Sequence, residues 1–531
     1  MKKSVLALVL GISVSVSAQT ELVFVYFNGK PNKAAFYANP ISELSQKSLN
    51  RRTALGIALN DQDAPLEITY VQTIQNLGLT VTDQSKWLNG VAVNVNQAQV
   101  NQIKALPFVQ SVESFAKNSS LTLKTQQQNK FQETENTTTL FNYGSGLDQI
   151  DQINLKPLHL AGYTGTGISV AVIDSGFPGV DNGVTFSRLW TNNQIKDGYD
   201  FVAKTSNVYE PTLNAHGTVV LGAIGGYIQD QFVGSAPDAD FYLYRSENAS
   251  VEIPEEEMYW IEAAEEADRK GVDLITTSLG YAIFDDPKYS YTYSHMNGNT
   301  SFIARGAEIA VNKGIFVLFA AGNSGEQPWH YIVTPADNVK VFTIGSVDGA
   351  GNSSPFSSYG PNSFGAVKPD ASVRGTATVT VNGSTTTTVT GTSIAAPVAA
   401  GGVACLIQAF PTMNRDTMRN SLRYNASLAP NHTDQMGYGI LNFGSFFNAV
   451  LNTSELVKKN KLSIFPNPVR DILNIASGQE VLSVQIYDNL GRIISTEKNK
   501  KSLKVADFAK GTYYMKIQTK DDVFYEKFLK E

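Results

Sequence analysis

Gly167–Gly176 reads GISVAVIDSG. Ile168 and Val170 to Ile173 form a nearly unbroken apolar run that stops at Asp174, with Ser175 and Gly176 directly after it. A strand wet on one face alternates apolar and polar residues, whereas an unbroken run belongs to a strand covered on both faces. VDLITTSLG (Val272–Gly280) and GIFVLFAAG (Gly314–Gly322) repeat the pattern, with helical segments between the runs. From about Leu147 to Val450 the chain therefore reads as an α/β domain with a doubly wound, mostly parallel sheet. Such sheets bind ligands beyond the carboxyl ends of their strands, so the strand ends are where chemistry is expected.

The 531 residues exceed one core, and 42% hydrophobic with 17% charged residues describes globular domains rather than a disordered chain. A net charge of −6 with no basic stripe argues against nucleic acid as a partner. Residues 1–18, MKKSVLALVLGISVSVSA, pair two lysines with an apolar run and small residues, the layout of a secretory signal cleaved after Ala18. No later run has the apolar length of a membrane span, so no transmembrane segment is expected. Cys405 is the only cysteine, which excludes internal disulfides, and it reads as a small core residue.

Residues 19–116 read as a small α+β unit, beginning with the strand ELVFVYF. Ile41, Leu44, Leu49 and Leu55 lie at loosely helical spacing, and EITYVQTIQNLGLTVTDQSKWLNGVAVNV then gives a helix, a glycine turn and two strands. Residues 117–146 are polar and lack apolar pattern, as a linker open to proteolysis should be. A second linker is expected at 451–460. Residues 461–531 alternate apolar and polar residues around Gly and Asn turns, the pattern of a small antiparallel β-domain.

Three positions carry chemistry-bearing residues: Asp174 at its strand end, His216 in NAHGTVVLGAIGG, and Ser393 in TVTGTSIAAPVAAGG (Thr388–Gly402). A hydroxyl is a weak nucleophile unless a base takes its proton, and that base needs a carboxylate to orient it. Each residue also has a plain structural reading. Asp closes turns, His before Gly is often a surface or core residue, and Ser at a helix start is often a cap.

The words VAVIDSG, HGT and GTSIAAPVAAG, in that order, resemble the subtilisin-like serine proteases, or subtilases. TTSLG (Thr276–Gly280), AAGNSG (Ala320–Gly325), TPA (Thr334–Ala336) and FSSYGPNSFGAVKPD (Phe356–Asp370) extend the resemblance over Leu147–Val450. Ile394 stands where the family usually has Met, a swap of similar volume. The resemblance implies a serine endopeptidase in which Ser393 is the nucleophile, His216 the base, Asp174 its orienting carboxylate and Asn323 a donor to the oxyanion. It also implies that extended substrate lies along Ser278-Leu279-Gly280 and Ala320-Ala321-Gly322. A subtilase-fold adhesion or binding protein without activity is the competing expectation, and the intact Asp174, His216, Ser393 and Asn323 weigh against it.

Residues 19–116 look like the inhibitory propeptide common in subtilases, against an unrelated adhesion domain. FPNP (Phe465–Pro468), IYDNLGR (Ile486–Arg492) and KGTYYMKI (Lys510–Ile517) resemble the C-terminal sorting domain of type IX secretion cargo, against a β-sandwich binding accessory. Together they imply a proenzyme exported through the periplasm and across the outer membrane, with protein or peptide substrates and the secretion machinery as partners. Nothing in the sequence demands more than a monomer.

The chemistry requires no cofactor, while subtilases often hold structural calcium. DDPKY (Asp285–Tyr289) offers oxygen ligands for it and reads equally as a solvated turn. EEEMYWIEAAEEADRK (Glu255–Lys270), acidic at its start and basic at its end, reads as a solvated helix matched to its dipole.

Overall fold

The computed structural model describes residues 20–117, 141–459, 462–488, 492–520 and 523–531. The expected signal sequence and most of the 117–146 linker lie outside these residues. The chain divides into two units, one ending at Ser445 and the other beginning at Phe446.

In the first unit, β1 (Glu21–Phe27), β2 (Val81–Ser85), β3 (Gly90–Val95) and β4 (Val109–Ser114) form an antiparallel sheet in the order β2-β3-β1-β4. Helices α1 (Gln46–Leu55), α2 (Ile68–Asn76) and α3 (Gln97–Lys104) complete this domain. The alternation in β1 sends its residues into two cores. Val23, Val25 and Phe27 cluster with Val71 and Ile74 of α2 and with Val100 and Ile103 of α3. Leu22 and Phe24 join a cluster that contains Trp260, Ile261 and Phe302 of the following domain.

That domain is built on β5 (Ser169–Asp174), β6 (Ile195–Asp200), β7 (Asp240–Arg245), β8 (Leu274–Thr277), β9 (Phe316–Ala320), β10 (Phe342–Val347) and β11 (Ala371–Arg374). They pair in parallel in the order β11-β10-β9-β8-β5-β7-β6. The chain runs from β5 out to the edge strand β6 and returns through β7. It then crosses to β8 on the other side of β5, so β5 lies at the switch point where crevices open in such sheets. Helices cover both faces as the unbroken apolar strands require. Ala171, Ile173, Ile275, Val317 and Phe319 share a core with α5 (Glu255–Lys270) and α6 (Phe302–Asn312). The long helix Thr392–Ala409 packs on β8 to β11 and against α4 (His216–Gly225). Thr392–Ala409 is the one described helix long and apolar enough to cross a membrane, and 83% of that window is buried in the core. Cys405, within it, is fully buried as expected.

Helix α5 is not the solvated helix its charges suggest. Glu256, Glu257, Trp260, Ile261, Ala264 and Asp268 are buried, and its acidic outer positions meet the N-terminal domain. Glu265 accepts from Ser85 Oγ (2.6 Å) and from the Lys86 and Trp87 amides, and Glu262 accepts from the Gln84 amide (3.0 Å). Carboxylates that look hydrated in the sequence are hydrogen-bonded to backbone supplied from more than 170 residues earlier.

Both flanks of the 118–140 segment are held. The Lys117 amide donates to Lys288 O (2.6 Å). Beyond the segment, Ser145 N donates to Gln231 O (3.0 Å), and the Tyr143 hydroxyl meets His159 Nδ1 at 2.5 Å. Burial lowers the His159 pKa to about 4, so the ring is neutral and Nδ1 accepts from the tyrosine.

The helix Phe443–Lys459 runs through most of the stretch expected as a second linker. In the second unit, Ser463–Phe465, Ile472–Ala476 and Ser502–Lys504 form one antiparallel sheet. Val481–Tyr487, Ile493–Lys498, Gly511–Thr519 and Val523–Lys530 form another. Leu473, Leu503, Val484, Ile486, Met515 and Ile517 share one core between the two sheets, which makes the unit a sandwich.

Candidate active site

The carboxyl ends of β5, β8 and β9 carry the site. Asp174, the last residue of β5, is fully buried. Its Oδ1 accepts from His216 Nδ1 (2.8 Å), the Ser175 amide (2.8 Å) and Ser175 Oγ (3.1 Å). His216 opens the helix His216–Gly225 and is half-buried. Asn214 holds the two partners together, because its Oδ1 accepts from the His216 amide (2.8 Å) and from Ser175 Oγ (3.3 Å). Gly217 permits the approach. A Cβ there would lie 2.5 Å from Gly176 O and 3.0 Å from Asp174 Cβ, forcing the helix away from β5. Burial disfavours the imidazolium, but the Asp174 charge and hydrogen bond together outweigh it and raise the His216 pKa above the ordinary histidine value.

Ser393 is the second residue of its helix, and Gly391 is the cap, so the serine is not the N-cap its position suggests. Asn323, beyond the end of β9, meets this helix start. Its Oδ1 accepts from Thr392 N (2.8 Å) and Thr392 Oγ1 (3.0 Å), which orients the amide and directs Nδ2 away from Thr392. The space beside Gly391 lies among Ser393 and Asn323 atoms. A Cβ on Gly391 would sit 2.9 Å from Ser393 Oγ, 3.5 Å from Asn323 Nδ2 and 3.7 Å from Ser393 N. A hydroxyl and two N–H donors thus surround one small space, which a side chain at 391 would fill.

Pro397 has no N–H to give to Ser393 O four residues before it. Ser278 Oγ donates to that carbonyl instead (2.7 Å). Because Thr277 pairs with Ile173, Ser278 and Asp174 follow at neighbouring strand ends. The Asp174–His216 half and the Ser393–Asn323 half are therefore joined through adjacent strands of the sheet.

The two expected substrate edges differ. The Ser278, Leu279 and Gly280 amides have no backbone partner among the described residues. The Ala320–Gly322 segment is more engaged. Ala321 N donates to Ile344 O (2.9 Å), Gly322 N to Thr392 Oγ1 (3.2 Å), and Gly322 O accepts from Ser358 N (2.9 Å). Thr392 and Asn214 were not singled out in the sequence. A hydroxyl next to the serine and an Asn two residues before the histidine were their only signals.

The DDPKY carboxylates have protein partners. Asp286 caps the turn at the Lys288 amide (3.2 Å) and pairs with Lys288 Nζ (2.9 Å), and Asp285 Oδ2 accepts from Glu252 N (3.1 Å). They fit a structural turn rather than a calcium loop. A cluster of carboxylates forms beside Tyr281, where side-chain oxygens of Glu247, Glu252 and Glu256 lie within 4.8 Å of one another. Glu256 accepts from the Asn248 and Ile253 amides, and Glu247 from the Tyr281 hydroxyl. Burial first and mutual repulsion second hold Glu247 well above the carboxylate range and raise Glu252 to about 8. Burial is likewise the main cause that brings Glu256 to about 7.

Residues 165–440, just over half of the chain, match the model of the subtilase family, and the chain belongs to that family. Residues 22–134 match the peptidase S8 propeptide domain of Bacteroidota, and residues 463–531 match a secretion system C-terminal sorting domain. Subtilisin DY of Bacillus licheniformis is 29% identical over 299 residues, which cover 56% of this chain and 94% of that protein. Subtilisin NAT of Bacillus subtilis subsp. natto is 27% identical over 373 residues, covering 70% of this chain and 83% of the relative. The crystal structure of the epidermin leader peptide processing serine protease from Staphylococcus aureus superposes with a TM-score of 0.54 at 17% identity, covering 81% of this chain and 99% of that one. That likeness extends the agreement in fold. The chain is a serine endopeptidase with a propeptide domain and a sorting domain.

Proposed function

We propose that this protein is a secreted proenzyme whose mature form cuts peptide bonds with Ser393, His216, Asp174 and Asn323. The convergence of Ser393 Oγ, Ser393 N and Asn323 Nδ2 on the space beside Gly391 carries the reading. Asp174 holds Nδ1–H of His216, leaving Nε2 as the base that takes the Ser393 proton while Oγ attacks the scissile carbonyl. The imidazolium formed is stabilised by the buried carboxylate and returns the proton to the leaving amine. The carbonyl oxygen, now an oxyanion, is met by Asn323 Nδ2 and Ser393 N, with the positive end of the helix behind them. Water then repeats the sequence on the acyl-enzyme, so only protein groups and water take part.

Extended substrate pairs with the open amides of Ser278–Gly280, while Ala320–Gly322, its own backbone largely occupied, lines the space beside the scissile residue. Residues 19–116 act as the propeptide, the chain is cut within 117–146, and residues 461–531 direct type IX export to the cell surface or medium. A fluorophosphonate probe tests the nucleophile. Processed protein should be labelled and the Ser393→Ala chain should not, and an unlabelled processed protein would overturn the assignment.

The pH profile follows from His216. Catalysis needs the neutral base, and the Asp174 charge raises its pKa above 6.5. On the acid side kcat/KM should fall about tenfold per pH unit, from a midpoint above the free-histidine value. Initial rates on a blocked peptide between pH 5 and 9 read this directly, and a midpoint below the free value would contradict the Asp174–His216 pairing.

A further inference from the structure

The crevice between the segments Ser278–Gly280 and Ala320–Gly322 opens beside Ser393, because both of its walls are tied to the helix that carries the serine. Ser278 Oγ donates to Ser393 O (2.7 Å), and Gly322 N donates to Thr392 Oγ1 (3.2 Å). Asn323 directly follows Gly322. A peptide whose carbonyl oxygen sits between Asn323 Nδ2 and Ser393 N therefore sends the side chain of that same residue into this crevice. Each wall ends in a glycine, Gly280 or Gly322. Taken alone, the two walls describe a wide pocket.

A third segment closes it. A Cβ on Gly280 would lie 2.5 Å from Val333 Cγ2. A Cβ on Gly322 would lie 3.3 Å from the same methyl and 3.5 Å from Val333 Cγ1, with Ser358 Oγ at 2.8 Å. One methyl group thus occupies the space that a side chain on either glycine would need.

The valine is fixed to both walls. Val333 N donates to Ala321 O (3.4 Å) on one side. On the other, Tyr281 N donates to Thr334 O (2.9 Å) and Thr334 N to Tyr281 O (3.1 Å). The Thr334 hydroxyl also meets Ser301 Oγ (2.5 Å). Val333 is 8% exposed and shares a core with Tyr281 and Ala336. A β-branched side chain has few χ1 wells, and a close-packed interior offers it no second place. Substrate cannot push it aside.

We propose that Val333 is a specificity-determining residue, filling the crevice so that it accepts Ala, Gly or Ser on the acyl side of the cut bond and rejects Phe, Tyr and Leu. This rests on the endopeptidase reading above and adds its substrate class. The two glycines supply width at the mouth, and Val333 removes the depth that a ring or a branched chain needs.

The test uses blocked peptides that differ only in the residue on the acyl side of the cut. One methylene too many in a closed pocket costs about 10–200-fold. Processed protein should therefore cleave the Ala peptide with a kcat/KM at least about 100-fold above that for the Phe peptide. Val333→Ala, which removes both methyl groups, should raise the Phe-to-Ala ratio about 100-fold. Each figure is a ratio on one enzyme, so a general loss of folded protein cancels. Equal cleavage of the two peptides by the unsubstituted protein, or a ratio unmoved by Val333→Ala, would overturn the proposal. Should the variant fail to fold, inhibition of the unsubstituted protein decides. A peptide aldehyde ending in Ala should bind at least about 100-fold more tightly than the same peptide ending in Phe, and equal or reversed affinities refute the assignment. A failure of the Ser393 reading would appear separately, as absent fluorophosphonate labelling or as cleavage that survives Ser393→Ala.

Discussion

Replacing Ser393 by Ala, His216 by Ala, or both together should lower kcat by nearly the same factor, about a millionfold. In the proposed reaction the nucleophile and its base work as one unit. Without the hydroxyl there is nothing for His216 to deprotonate, and without the base the hydroxyl stays a weak nucleophile. Asp174→Asn should cost less, about ten-thousandfold, because the imidazole remains in place while its tautomer and its cation lose their support. The site's residual rate would come from binding and from the donors beside Gly391. The measurement is single-turnover cleavage of a blocked chromogenic peptide by chains matured with an added protease, so that failed self-processing is not mistaken for failed catalysis. Losses that multiply in the double variant would mean that Ser393 and His216 act separately, and the assignment would fall.

Asn323→Ala should lower kcat by about 10²–10³-fold, roughly 2.7–4 kcal/mol of barrier, with KM nearly unchanged. In the proposed role the side chain binds the oxyanion and not the ground-state carbonyl, so its removal would be felt in the transition state. Its amide is oriented in advance by Thr392, whose amide and hydroxyl both hold Oδ1. No reorganisation is then needed when charge develops. A rise in KM with unchanged kcat would instead make Asn323 an ordinary substrate contact.

The sheet and the placement of the proposed reactive residues at its strand ends were legible because their signals are local. An apolar run ending in Asp174 marks a buried strand and its end within ten residues, and Gly391-Thr392-Ser393 places small residues where the helix start must be approached closely. The legible part stops where a residue's role depends on a distant segment. Glu262 and Glu265 look like the wet face of a helix, and only the folded chain shows β2 and the following turn covering them. Ser278 reads as one residue of a substrate edge, yet its hydroxyl also replaces the hydrogen bond that Pro397 cannot make. Arg51 and Arg52, paired with the buried Asp268, carry no motif, because a buried ion-pair network leaves no periodic trace in a sequence.

Lys117 and Tyr143 are both tied down, on either side of the segment where the cut is proposed. While the chain is whole, a short tether presents the N-terminal domain to its seat at an effective concentration on the order of mM, whatever the amount of protein around it. The proposed cut would remove the tether, and the contacts between the two domains would then compete with the real concentration of the molecule. In a crowded compartment the fragment rebinds, and in the open medium it is lost. Dilution itself would then serve as the trigger, switching the protease on where it has left the cell.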